Sequence, residues 1–173
     1  MIKQFTFLLV SVFTLTFNAV AYAAKAPSLH SHSWILVDRL TNTVLAAKNE
    51  DIRQNPGNSV LLMVLYTTEK ALAENKISRS QKITVNNDAL SIPALNAPRF
   101  YLEPNKSYSF EELEKAVAVM GANDAAVALA EGISQTVERF VILMNENAKK
   151  LGLTNTHYTS PIGTNRKEQY TSA

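Results

Sequence analysis

Two short β-prone runs near the start of the chain, Ser33 to Asp38 and Thr43 to Lys48, restrict what it can fold into. Thr41-Asn42 joins them as a turn, so the pair reads as a hairpin. A two-stranded ribbon is marginal in water by itself. The hairpin must therefore pack on helices or pair with another chain, and Trp34 is expected in the core at its start.

The rest reads mainly as helix. Val60 to Leu65 is apolar without a break and Thr67 to Glu74 adds good helix formers. That is the pattern of a helix buried on all sides, and Asn58 or Ser59 is placed to cap it. Residues 76 to 108 read as irregular, with Ile83-Thr84-Val85 as a short extended piece and Pro93, Pro98 and Pro104 as punctuation. Ser109 with Glu112 three residues later is a capping box. Leu113, Ala116, Val117 and Met120 follow at helical spacing until Gly121 interrupts. Asn123 is expected to cap a second helix running through Ala130, with Gly132 as its stop. Ser134 is expected to open a third, with Val137, Phe140, Val141, Met144 and Ala148 as its apolar face and Gly152 at its end. Lys149 and Lys150 sit in its last turn, where the helix dipole favours cations. The fold class is α+β, mostly helical, with one N-terminal hairpin. Phe100, Tyr101, Tyr108 and Phe110 are expected to pack under the long loop, and Glu111, Glu112 and Glu114 to form a solvated helix start.

Residues 1–23 are a separate object. Lys3 is their only charge, Phe5 to Phe17 is an apolar run broken by Ser11, Thr14 and Thr16, and Ala21-Tyr22-Ala23 has the small-x-small pattern of a signal-peptidase site. The run is short and interrupted for a span that needs about 20 apolar residues, so cleavage before Ala24 and export are expected. Residues 24–32 read as a linker and 33–173 as one domain. The formal net charge of +2 drops to +1 without Lys3, and no basic cluster stands out, which argues against nucleic acid. There is no cysteine, hence no disulfide and no lipidated N-terminus; stability must come from packing. His30 and His32 lack an accompanying carboxylate or cysteine set, so neither a metal site nor a cofactor is expected.

Several stretches resemble one family in collinear order. Trp34-Ile35-Leu36-Val37-Asp38 resembles a first strand ending in aspartate, and Asn49-Glu50-Asp51-Ile52-Arg53 the run into an active-site helix. Phe100-Tyr101-Leu102-Glu103-Pro104-Asn105 resembles a turn before a helix, Ala122-Asn123-Asp124-Ala125-Ala126 a second catalytic motif, and Leu151 to Tyr158 the loop after a helix. The family is that of the D-alanyl-D-alanine carboxypeptidases that trim peptidoglycan stem peptides, a branch of the low-molecular-weight penicillin-binding proteins. The resemblance implies a partial penicillin-binding-protein/β-lactamase-like transpeptidase fold, with the hairpin and the helical region present and the C-terminal strands missing.

It also implies chemistry that the residues do not supply. The family motif Pro-Ala-Ser-x-x-Lys falls on Pro56-Gly57-Asn58-Ser59-Val60-Leu61, so Asn58 stands at the nucleophile and Leu61 at the lysine base. A serine nucleophile needs a base to take its proton. The second motif, Ser-x-Asn, falls on Gly121-Ala122-Asn123, with the hydroxyl lost and the asparagine kept, and no Lys-Thr-Gly occurs in the 173 residues. The expectation is an exported, periplasmic, non-catalytic protein in which Asn58, Ser59 and Asn123 line a ligand groove for peptidoglycan stem peptide, or which binds a periplasmic protein. Asn123 also reads as a plain helix cap, and His157 as structural. Two other readings stay open: an active hydrolase using Ser59, whose partner three residues later is Leu62, and an interaction module without a groove. A homodimer through the hairpin edge is expected unless Thr159 to Ala173 folds back to cover it.

Overall fold

The structure is a computed structural model that describes residues 26–86, 89, 97–163 and 168–173. Residues 1–23, expected from the sequence to be a cleaved signal, lie outside the described residues. Residues 26–32 are irregular and exposed.

The hairpin forms as expected. β1 (Trp34–Asp38) pairs antiparallel with β2 (Thr43–Lys48), from Trp34 opposite Lys48 to Asp38 opposite Thr43, with a bulge between Leu36 and Val37. Asp38 shapes the turn: its Oδ1 accepts the N–H groups of Leu40 at 2.8 Å and Thr41 at 3.2 Å, and Asn42 takes a left-handed φ of 55°. Asparagine tolerates that conformation better than most residues. Trp34 is only half-buried, and its Nε1 is enclosed without a partner. Ile35, Leu36, Val37, Val44 and Leu45 are all exposed, so apolar side chains show on both faces of the ribbon.

A second sheet was not expected. β3 (Lys82–Thr84) pairs antiparallel with β4 (Ser107–Ser109), and Val85 prolongs the ladder, donating to Lys106 O and accepting from Asn105 N, each at 3.0 Å. The extended piece around Ile83 is therefore real, but residues 76–108 are less irregular than their prolines suggest. The partner Ser-Tyr-Ser carries almost no β signal, and only the long-range pairing makes it a strand.

Among the described residues four helices carry most of the core. A 3-10 turn at Gly57–Ser59 leads into α1 (Val60–Ala73); α2 (Phe110–Met120), α3 (Asn123–Ser134) and α4 (Val137–Lys150) follow. Helix α3 is central: Asn123 to Ala130 are buried without exception, and its alanines let α1, α2 and α4 approach closely. Phe110, Leu113, Phe140, Met144, Val60 and Val64 fill the space between. Helix α1 is not buried all round, because its neighbours occupy one side; Leu62, Tyr66, Glu69 and Ala73, at helical spacing, form an exposed stripe.

The expected boundaries need three corrections. Gly132 does not stop α3 but lies inside it, where a Cβ would run into Ile83 Cδ1; the glycine lets β3 cross the helix closely. The break comes at Gln135, with φ 68°, so Ser134 ends α3 rather than opening α4. Thr136 caps α4, its Oγ1 accepting Arg139 N at 3.3 Å. The capping box at Ser109 and Glu112 is present in both directions, and Gly121 (φ 65°) closes α2. The aromatic set divides: Phe110 and Tyr108 are buried, Phe100 meets Tyr108 edge-on at 6.1 Å, and Tyr101 projects outward. Glu111 and Glu112 are solvated, but the Glu114 side chain is largely covered. Arg79 Nη1 holds it at 2.5 Å, while Nη2 grips Glu69 at 2.7 and 2.9 Å.

The C-terminal segment does fold back, but onto residues 50–54. Gln54 and Thr171 exchange backbone hydrogen bonds of 2.8 and 2.9 Å, His157 and Tyr170 do so at 2.8 and 3.0 Å, and Ala173 N donates to Glu50 O. Arg53 stacks 4.4 Å from the Tyr170 ring centroid. His157 thus has a structural place, as expected. The segment's pairs fall beyond β2, not along β1 or β2.

Candidate functional site

The entrance to α1 is built by short-range hydrogen bonds. Asn55 Oδ1 accepts Gly57 N at 2.7 Å, and Gly57 takes a left-handed φ of 52° that a glycine adopts without strain. Ser59 N closes the 3-10 turn onto Pro56 O at 3.0 Å. Asn58 and Ser59 are both exposed on this turn, and neither side chain caps α1. The cap expected from Asn58 or Ser59 fails because the 3-10 turn already places both in helical backbone conformation. An N-cap side chain reaches the next turn from an extended backbone. The Ser59 hydroxyl donates instead to Pro56 O at 2.7 Å. Leu62, three residues on, is 70 % exposed and points away from the core.

Leu61 faces inward and is 6 % exposed. Its Cδ1 lies 3.7 Å from where a side chain on Gly121 would begin. Two positions sixty residues apart are therefore neighbours: the one that the resemblance assigns to the lysine base and the one it assigns to the relay hydroxyl. Methyl groups and a bare backbone meet there, and neither residue can accept a proton.

Asn123 sits beyond this contact, in the first turn of α3. It does not cap the helix. Ala122 holds the N-cap position, and the Asn123 backbone N–H is donated to Pro98 O at 2.9 Å. Its side chain is buried, and Oδ1 has no hydrogen-bond partner among the described residues. A buried acceptor left unpaired is costly, so such groups invite a functional explanation.

Asp124, which the sequence reading passed over, organises the neighbouring loop. It is 2 % exposed; Oδ1 accepts the N–H groups of Phe100 at 2.8 Å and Ala125 at 2.9 Å, and Oδ2 accepts that of Leu102 at 3.1 Å. This holds Tyr101 in a left-handed conformation (φ 60°) above a cavity of about 290 Å³ lined by Arg99, Tyr101, Leu102 and Asp124. Its sequence signal was the position in the first turn of a helix, where a carboxylate is favourable.

Segment 159–163 closes over the α1 entrance. Gln169 Oε1 accepts Thr159 N at 3.1 Å and Ser160 N at 3.0 Å, fastening the segment. Gly163 then lies so close to Gly57 and Asn58 that a Cβ would collide with the Gly57 carbonyl. The structure thus joins Leu61 with Gly121 and leaves Asn58 and Ser59 on the surface beside Gly163. Asn58, Ser59 and Asn123 line none of three cavities in the described region, of about 380, 270 and 290 Å³.

A sequence model described as D-alanyl-D-alanine carboxypeptidase matches residues 20–173. The chain belongs to the D-alanyl-D-alanine carboxypeptidase family. D-alanyl-D-alanine carboxypeptidase DacC of Escherichia coli (strain K12) is 36 % identical over 170 residues, which cover 94 % of this chain and 42 % of that protein. D-alanyl-D-alanine carboxypeptidase DacF of Bacillus subtilis (strain 168) is 36 % identical over 172 residues, covering 96 % and 43 %. Penicillin binding protein 5 from Haemophilus influenzae superposes with a TM-score of 0.83 at 34 % identity, over 87 % of this chain and 44 % of that one. The chain spans less than half the length of the curated carboxypeptidase relatives it matches here. Its fold is accordingly a partial penicillin-binding-protein-like one. Among the described residues no helix is long and apolar enough to cross a membrane.

Proposed function

We propose that this chain is an exported, periplasmic, non-catalytic member of the carboxypeptidase family that binds peptidoglycan stem peptide. The observation that carries the reading is the placement of buried Leu61 next to Gly121. Acyl transfer places a base and a hydroxyl at these family positions, and here they form an apolar seam. Asn58 cannot stand in for a serine nucleophile, and the Ser59 proton is directed at a backbone carbonyl rather than at a base. The unpaired Oδ1 of Asn123 supports retained peptide binding: it is enclosed, so a peptide N–H reaches it only when the segment over it shifts, while Asn58 and Ser59 stand exposed on the turn before α1. No cofactor enters this reading.

Intact-mass spectrometry after incubation with benzylpenicillin tests it. The expected spectrum is unmodified protein, together with measurable binding of purified stem peptide that weakens in Asn123→Ala. A penicilloyl mass gain located on Ser59 would falsify the non-catalytic reading in favour of an altered hydrolase.

A second reading, a protein-interaction role, is favoured by the hairpin. β1 and β2 show apolar residues on both faces and form a sheet with no third strand among the described residues. Such an edge is a template for pairing with another chain, here a second copy or a periplasmic partner.

A further inference from the structure

A cavity of about 380 Å³ lies at the far end of α1, between that helix, the last turn of α3 and the length of α4. It is separate from the family site: Lys70, on its wall, lies nine residues beyond Leu61, or ~14 Å along the helix. Four cations line it, Lys70, Lys76, Arg139 and Lys150, against two carboxylates, Glu74 and Glu146.

The cations differ in what already holds them. Lys76 is paired with Glu74 at 2.7 Å. The same Glu74 also feels Lys70 and Lys150: its carboxyl is held below the usual value by the hydrogen bond from Lys76 first, and by the charges of all three lysines besides. Lys70 makes no ion pair among the described residues. Its Nζ donates to Asn147 Oδ1 at 2.7 Å, and Asn147 Nδ2 donates to Thr67 Oγ1 at 3.1 Å, so the amide fixes the half-buried ammonium over the cavity floor. An ammonium has three donors, and only one is engaged here. Arg139 donates to the neutral Gln135 at 2.9 Å. The Ser134 hydroxyl, on a wall residue, is enclosed and has no partner among the described residues.

We propose that this groove binds an extended acidic peptide. The cations do not converge on one point. Arg139 and Lys150 are eleven residues apart on α4, ~16 Å along its axis, so a single phosphate or carboxylate cannot engage both. An extended chain of about five residues covers that length, at ~3.3 Å each. Its carboxylates meet Arg139, Lys70 and Lys150 in turn. Ile133 and Leu143, on the same wall, pack its side-chain stems.

The test is fluorescence anisotropy with fluorescein-labelled pentaglutamate on the full chain, with labelled pentaglutamine as the neutral counterpart. Pentaglutamate is expected to bind and pentaglutamine not. The double variant Lys70→Gln with Arg139→Gln is expected to weaken binding at least tenfold, while Lys82→Gln with Lys115→Gln, on other surfaces, leaves it within twofold. Glutamine at 70 keeps a donor for Asn147, and a circular dichroism melt verifies that the groove variant is folded. Absence of pentaglutamate binding, or equal losses in the two double variants, overturns the proposal. So does full displacement by millimolar inorganic phosphate, which would mark a site for a single anion.

Discussion

At the scale of single residues, Leu61 and Gly121 decide how the family site reads. Leu61 is buried, and a lysine there would bring a charge out of water that needs hydrogen-bonding partners. Leu61→Lys is expected to destabilise the domain by about 3 kcal/mol, the cost of a buried charge without its partners. Leu62→Lys, one residue on and 70 % exposed, should change stability by no more than about 0.5 kcal/mol. Urea denaturation of the two variants measures both. Equal stabilities would mean that position 61 still tolerates a base and would remove the main support for a non-catalytic protein. The contrast also shows why one-residue shifts of register matter here: neighbouring leucines on α1 belong to opposite environments.

At the scale of elements, the Glu69–Arg79–Glu114 cluster ties α1, the loop before β3 and α2 together. Its two acids respond to pH in opposite directions. Burial is the main cause that raises the Glu114 carboxyl above its usual 4.5, with the nearby Glu69 adding to it against the pull of Arg79. Glu69 is held below 4.5, first by its hydrogen bond from Arg79. A carboxyl raised by folding binds its proton more tightly in the native state. Its stabilising contribution is complete below 4.5 and is lost as pH rises through the raised value. The Glu69 contribution is present above 4.5 and is lost as pH falls through its lowered value. Glu69→Gln removes the like charge, so the carboxyl titration of Glu114, followed by carbon-13 NMR, should shift to lower pH. A midpoint that stays put would show that burial alone sets it. The sequence displayed Glu114 only as one of three acids at a helix start, because nothing local reveals that Arg79 reaches it. The same limit hid β4, whose Ser-Tyr-Ser becomes a strand only beside Lys82–Thr84, and Asp124, whose partners Phe100 and Leu102 lie on another loop. Features with local causes were legible: the hairpin, the Ser109–Glu112 box, the Gly121 break and the apolar face of α4. At the family site, the identities of Asn58, Leu61 and Gly121 were legible from residue types alone. The missing cap at Asn123 was not, since it depends on Pro98 taking the backbone N–H.

At the scale of the whole molecule, the unevenly covered surface is the main feature. The helical core is closed, whereas the ribbon carries Val44 at 54 % and Leu45 at 61 % exposure. A strand run apolar on both faces is typical of sheets covered on both sides. Self-association through the ribbon is therefore expected, and Val44→Lys, which places a charge on that surface, should dissociate the assembly in multi-angle light scattering. Wild-type protein that remains monomeric at high concentration, with β1 and β2 amides protected from exchange, would exclude self-pairing.

The hydrogen bonds between Gln54 and Thr171 have a bearing on how the molecule comes into being. They join the segment just after the ribbon to one that a ribosome makes much later. During synthesis the ribbon is finished first, yet its anchor must wait for residues 170–173 to emerge. Throughout that interval residues 50–54, which follow the apolar ribbon directly, have no backbone partner from the C-terminal segment. The order of translation makes this early stretch the natural place for a holding chaperone to act.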